Sequence, residues 1–251
     1  MTALTGPASP RRCPAAATRP TPKIVLRADQ RVHRGPLRIT AHGIRYDDPV
    51  PSDWDDEGIL WPRVTGTETG RPLYADINPL RQRLALEDPQ RLLCQVGMGP
   101  ATATPGGVLW IVPQPAGKPW DPHRAEWPAG RTAEPPVCAA HAPLAARWCP
   151  RLREGYAAVL VRRAPLVAVE GTLFRPGGEG RVETIPHSLF ELDPPDDTPA
   201  EELIDPRFLL GEHLVRDLDG VTPVDLRDPE LYRDAVPCDA PDIRPQPARS
   251  F

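Results

Sequence analysis

Proline recurs along this whole chain and limits what the chain can fold into. With 36 prolines in 251 residues, no helix can run far without meeting one. An internal proline removes a backbone hydrogen bond and clashes with the preceding helical turn. Hydrophobic residues still make up 40% of the chain, which is enough to form a core. We therefore expect a loop-rich body built from short helices and strands.

Short apolar runs rich in β-branched residues, bounded by turn residues, predict strands. The strongest signal covers residues 156–174 and predicts a small antiparallel sheet. The glycine-rich stretch 177–180 follows it and is typical of a hairpin turn, since it matches no nucleotide-binding pattern. Further candidate strands lie at 23–27, 37–40, 58–61 and 108–112.

Three segments carry helix signals. Asn78 followed by Pro79 is a good helix start, because asparagine caps free amides and proline suits the first helical position. Leu80 and Leu84 should form the apolar face of this helix. A short helix is expected at 141–148. Asp205 and Pro206 predict a second capped start, with leucines at 210, 214 and 218 on one face and Gly220 as the stop.

These elements predict an α+β protein with one main domain. Residues 1–21 lack an apolar period and are expected to be a disordered leader, and 228–251 a disordered tail. The main domain should cover 22–227. We expect it to contain a treble-clef-like hairpin and helix, a small antiparallel sheet and the C-terminal helix.

Two incomplete metal-binding patterns are the most specific motifs in the chain. Cys94 is followed three residues later by Gly97, where a cysteine would complete Cys-x2-Cys. Further along, Cys138 and His141 form Cys-x2-His. A hairpin turn followed by ligands at a helix start is the layout of a treble-clef finger. However, a structural zinc site needs four tetrahedral ligands, and glycine supplies none.

These motifs resemble a group of uncharacterised actinobacterial (Streptomyces-like) proteins. There, a segment like 92–96 continues into a second cysteine, and a later Pro-Pro-Val-Cys-x-x-Cys opens a helix. The resemblance covers most of 35–226, including 107–110, 171–176 and 214–218. It implies a zinc-binding, treble-clef-like core that is degenerate here, because Gly97 and His141 replace two cysteines. The group supplies an architecture and no function.

Three interpretations of the site remain open. Cys94 and Cys138 could be buried hydrophobes in a relic of the site. Alternatively, Cys94, Cys138 and His141 could hold zinc with a fourth ligand from elsewhere. Cys149 is a poor choice for that ligand, because a helix carries it roughly 12 Å past His141. In the third interpretation a water completes a catalytic zinc.

Catalytic templates fit poorly. A nucleobase deaminase needs His-x-Glu, which the chain lacks. Asp121 and His123 faintly match the Asp-His pair of an HNH-type nuclease. The adjacent His187 and Ser188 should point to opposite faces of a strand. His213 is expected at the boundary of the C-terminal helix. The acidic stretches at 53–56 and 193–197 favour solvated loops. We therefore name no catalytic residue.

The preferred function is a non-enzymatic binding or accessory protein. A net charge of −4 argues against non-specific binding to DNA or anionic membranes. Five widely spaced cysteines, with neither a signal peptide nor a long apolar run, favour a cytoplasmic protein with reduced thiols. A protein is the expected partner, and a nucleic acid is the second choice. The alternative function is a metal-dependent hydrolase resembling HNH nucleases.

Overall fold

A computed structural model describes residues 21–113, 130–176, 181–233 and residue 238. Most of the regular structure is β: 41% of the chain is strand and 15% is helix. The three α-helices are α1 (Pro79–Leu86), α2 (Ala142–Trp148) and α3 (Pro150–Arg153). The strands are β1 (Val25–Arg27), β2 (Arg31–His33), β3 (Leu37–Thr40), β4 (Gly43–Tyr46), β5 (Arg63–Thr65), β6 (Pro72–Ile77), β7 (Ala103–Thr104), β8 (Gly107–Pro113), β9 (Arg131–Thr132), β10 (Tyr156–Arg163), β11 (Leu166–Pro176), β12 (Val182–Glu191), β13 (Leu209–Asp217) and β14 (Asp219–Pro223).

Two four-stranded antiparallel sheets organise the fold. The first has the order β14-β10-β8-β7 and the second has the order β12-β11-β13-β9. Three two-stranded pairs, β1-β6, β2-β5 and β3-β4, complete the described sheets. The predicted α+β class is therefore wrong, because paired strands rather than helices form most of the body. The expected single sheet over 156–174 is also divided, with β10 in one sheet and β11 in the other.

The first sheet is buried on both faces. On one face, Leu109 and Leu160 pack with the cysteines and α2. On the other face, Trp110 and Val159 pack against the second sheet. We call these the metal face and the apolar face. Burial on both sides explains why β8 and β10 have continuous apolar runs instead of alternating patterns.

The predicted C-terminal helix does not form. Asp205 caps only one turn of 3-10 helix at Pro206–Phe208, by accepting a hydrogen bond from the Arg207 amide. The chain then enters β13, which pairs with β11 and β9. Leu209 and Leu210 face different apolar clusters, so both sides of this strand are buried. That double burial produced the leucine spacing that resembled a helical face.

The predicted helix at Asn78 is confirmed, but it buries a different face. The Asn78 side chain accepts from the amides of Leu80 and Arg81 and caps α1. Leu80 and Leu84, the predicted apolar face, are each 41% exposed. The buried face contains Pro79, Ala85 and Leu86 together with one polar residue, Gln82. The Gln82 amide donates to the Leu214 and Ala133 carbonyls and accepts from the Leu214 amide. Polar bonds to β13 therefore orient this helix.

Arg216 fixes the end of α1 from the same strand. Its guanidinium is fully buried and donates to the carbonyl of Leu86, at 2.8 Å from Nε, and to that of Ala164. These acceptors include a free carbonyl at the helix C-terminus, where a cation is favoured. Burial nevertheless lowers the pKa of Arg216 to about 10. Gln82 and Arg216 together hold α1 against the second sheet.

Candidate metal centre

A tight turn positions the first candidate ligand, Cys94. The Cys94 amide donates to the Gly99 carbonyl at 2.7 Å, and the Met98 amide donates to the Cys94 carbonyl at 2.7 Å. Met98 has a φ of 57°, in the left-handed region that non-glycine residues rarely adopt. The turn is anchored to α1 through the Leu93 amide, which donates to Ala85. Cys94 is completely buried as a result.

Cys138 and His141 are held at the start of α2. The Cys138 carbonyl accepts from the amides of His141 and Ala142, at 3.0 and 2.9 Å, and this begins the helix. Thr102 Oγ1 accepts from the Ala139 amide at 2.8 Å and ties the turn to the residue directly before β7. Both residues therefore project from a backbone fixed on two sides.

The structure brings the three predicted residues together and adds a fourth, Cys238. The sulfurs of Cys94, Cys138 and Cys238 and one His141 ring nitrogen all lie within 4.8 Å of one another. His141 Nδ1 is 3.6 Å from Cys94 Sγ and 3.1 Å from Cys138 Sγ. In tetrahedral zinc sites, Zn–S bonds of about 2.3 Å place sulfurs about 3.8 Å apart. The spacing of this four-donor group therefore suits a single small ion.

The three cysteines of the four-donor group are almost completely closed to solvent. Cys94, Cys138 and Cys238 are 0%, 2% and 4% exposed, and His141 is partly buried. All three cysteines belong to the apolar cluster on the metal face. The described cysteines form no disulfide with one another. Buried sulfurs in this arrangement have one another and His141 as polar neighbours.

Hydrogen bonding within the group shifts the pKa values of its members in different directions. Hydrogen bonds from Cys138 and Cys238 lower the pKa of Cys94, and the backbone amide of Gly97 adds to this effect. The same contacts with Cys238 and Cys94 raise the pKa of Cys138. Hydrogen bonds to Cys238 and Cys94 raise the pKa of His141 to about 10. A metal ion would replace these shared protons, because it binds thiolates and neutral imidazole.

Sequence reasoning missed Cys238 because it lies in the predicted disordered tail. The structure instead places Leu231 and Cys238 in the core, with a 3-10 turn at Pro229–Tyr232. One signal was available, since the sequence analysis left Cys238 without a role. Cys149, judged a poor ligand by its distance along α2, is not a member of the four-donor group.

The other candidate residues form no second site of this kind among the described residues. Ser188 Oγ donates to the Ile185 carbonyl and not to His187. His187 instead contacts Glu170 at 2.8 Å, from a backbone φ of 55°. His213 Nδ1 lies 3.9 Å from the same carboxylate, and it lies on strand β13 rather than on the predicted helix. Asp121 and His123 lie outside the described residues.

The acidic stretch at 53–56 is structural. Asp53 is 4% exposed and forms an ion pair with Arg63 at 2.7 Å. Asp55 accepts from Trp61 Nε1 at 2.8 Å and from the Ile59 amide. The prediction of a solvated loop is therefore wrong for Asp53. Neither carboxylate is available as a general base for the four-donor group.

Comparison with known proteins adds no assignment. No protein-family model matches this chain, and no curated protein or solved structure matches it either. Within the described residues, no helix combines the length and apolar character needed to cross a membrane. The case for function therefore depends on the four-donor group.

Proposed function

We propose that this chain is a non-enzymatic binding or accessory protein whose core is stabilised by one structural zinc ion. The observation that carries the proposal is the buried four-donor group of Cys94, Cys138, His141 and Cys238, with its ligand atoms within 4.8 Å. Three sulfurs and one imidazole nitrogen form a ligand set that structural zinc sites use. Thiolates also disfavour magnesium and calcium, which prefer oxygen ligands.

The donor count favours a structural ion over a catalytic one. A catalytic zinc has three protein ligands and keeps one position open for water or substrate. Here four protein donors would fill a tetrahedron, and the three sulfurs are almost inaccessible to water. The alternative of a metal-dependent hydrolase therefore requires one donor to leave, most simply Cys238.

The proposal includes a treble-clef-like arrangement around the ion. Cys94 lies in a turn, the β7–β8 hairpin follows, and Cys138 and His141 lie at the start of α2. This is the order predicted from the sequence. Cys238 takes the place of the cysteine that is missing at position 97 of the turn, which we call the knuckle. A cytoplasmic location is part of the same proposal, because thiol ligands persist best in a reducing compartment.

A protein is the partner that the surface supports best. Leu80 and Leu84 lie one turn apart on α1, and both are 41% exposed. Residues at this spacing lie on the same side of a helix. This pair of exposed leucines is the apolar contact that we assign to a protein partner. A nucleic acid is the second choice, which the overall negative charge disfavours.

Zinc content tests the proposal directly. Tag-free protein purified without added metal should contain about one zinc per chain, since structural sites bind zinc tightly. Cys138→Ala should lose the ion, whereas Cys149→Ala, a cysteine outside the four-donor group, should keep it. A well-folded wild-type chain without zinc, even after zinc is added, would overturn the proposal. Zinc together with hydrolytic activity would instead support the alternative.

A further inference from the structure

Gly97 occupies the position where the knuckle lacks a cysteine, and it lies directly against Cys238. A Cβ atom added at Gly97 would lie 2.6 Å from the Cys238 carbonyl oxygen and 2.8 Å from its sulfur. It would also lie 2.8 Å from His141 Cε1. Contacts this short do not occur for real Cβ atoms, so any side chain here would displace residue 238.

Gly99, two residues further along the turn, also lies directly against Cys238. Its added Cβ would lie 2.9 Å from the Cys238 carbonyl oxygen and 3.1 Å from the Cys238 Cα. Neither Gly97 nor Gly99 has a φ in the left-handed region. Backbone conformation therefore does not require glycine at either position. Close approach of a second chain segment does require it.

We propose that Gly97 and Gly99 form a docking seat for the backbone of residue 238, through which the metal ion fastens the C-terminal segment to the core. This inference rests on the proposed zinc site. The fourth ligand position has moved from the knuckle to a distant part of the chain. Gly97 is then the feature that admits Cys238, rather than a defect of the knuckle.

The segment that leads to Cys238 depends on this fastening. The Val224 amide donates to the Ala158 carbonyl, but the backbone bonds described after it are local, such as Asp228 to Asp225 and Leu231 to Asp228. Leu226 and Leu231 pack into the cluster on the metal face. The ion and these two side chains therefore hold the segment in place. Loss of the ion should release residue 238 and loosen residues 225–233 over the metal face.

Two variants of the full chain test the contribution of the docking seat to zinc binding. Cys238→Ala removes the fourth donor, and Gly97→Ala pushes residue 238 away while all four donors remain in the chain. Each should lower zinc affinity by about a hundredfold or more, because affinity depends on a complete ligand set. Hydrogen–deuterium exchange of peptides covering 225–238 should become fast in both variants.

Matched controls exclude a general effect of each change. Cys149→Ala removes a cysteine outside the four-donor group. Gly106→Ala adds a methyl group whose nearest neighbour is the flexible end of Leu160, at 3.0 Å. Both controls should keep one zinc per chain and slow exchange over 225–238. Chelation of the wild type should reproduce the fast exchange of the two seat variants.

A rescue experiment tests the proposed ligand exchange. The Cβ direction at Gly97 points toward the Cys238 sulfur and His141, which is the centre of the four-donor group. Combining Gly97→Cys with Cys238→Ala should therefore restore one zinc per chain. Exchange over 225–238 should stay fast, because the restored knuckle ligand does not hold the C-terminal segment. If Cys238 were only a packing residue, the double variant would not restore zinc binding while exchange over 225–238 stays fast.

The outcomes distinguish the two proposals. If the wild type binds no zinc, the proposed function fails and this inference fails with it. If the wild type, Cys238→Ala and Gly97→Ala bind zinc equally well, the seat is refuted while a zinc site with three protein ligands survives. Loss of zinc in Cys238→Ala without recovery in the double variant would contradict the exchange of ligand position.

Discussion

The two faces of the first sheet show two ways of forming a core. The apolar face contains large side chains, including Trp61, Trp110 and Leu209, packed between the two sheets. The metal face also contains leucines, but with the cysteines it includes several buried alanines, namely Ala139, Ala142 and Ala158. Small side chains bury little apolar area, and stabilisation scales with that area. We infer that the metal face needs an ion where the apolar face needs only packing.

The largest expected effect is the removal of the ion from the metal face. Chelation, or Cys94→Ala, should lower the free energy of unfolding by several kcal/mol, because structural zinc contributes roughly 10 kcal/mol or more in small zinc domains. The measurement is thermal unfolding with and without a chelator. The melting temperature should also rise with free zinc, since the complete site of the folded state binds zinc more tightly than the unfolded chain does. An unchanged melting temperature would remove the distinction between the two faces.

A matched pair of leucines gives the next effect. Leu209 on the apolar face and Leu109 on the metal face are both completely buried. Each change to alanine should cost about 2–5 kcal/mol in unfolding free energy. The cost of Leu209→Ala should be the same with and without zinc, since distant sites are additive. Leu109→Ala should also lower zinc affinity, because Leu109 packs in the same cluster as the ligands. If zinc changed the cost of both substitutions equally, the difference between the two faces would be contradicted.

The smallest effect concerns the polar attachment of α1, which lies on the side of the second sheet. Gln82→Ala removes the two hydrogen bonds to the Leu214 amide and carbonyl, and a typical hydrogen bond contributes about 0.5–1.5 kcal/mol net to stability. Denaturant unfolding should show this loss while zinc content stays at one per chain. Gln90→Ala, on an exposed residue just after α1, is the control and should have almost no effect.

Two helix starts with similar sequences show how far local signals reach. Asn78-Pro79 and Asp205-Pro206 both cap a turn as predicted. The first turn continues as an eight-residue helix, whereas the second ends after three residues and becomes β13. A cap is a local interaction that a few neighbouring residues specify. The element that follows depends on pairing with β11 and β9, which belong to other parts of the chain.

The sequence by itself determined the parts of the site that lie close together along the chain. Cys138 and His141 share one helix start and Cys94 lies just before a turn, so the sequence pattern predicted all three residues as candidate ligands. Only the tertiary structure placed Cys238 beside them, because local spacing carries no information about which distant segment returns to the turn. The sequence also could not show why residue 97 is a glycine. It leaves room for a backbone that arrives from the far end of the fold.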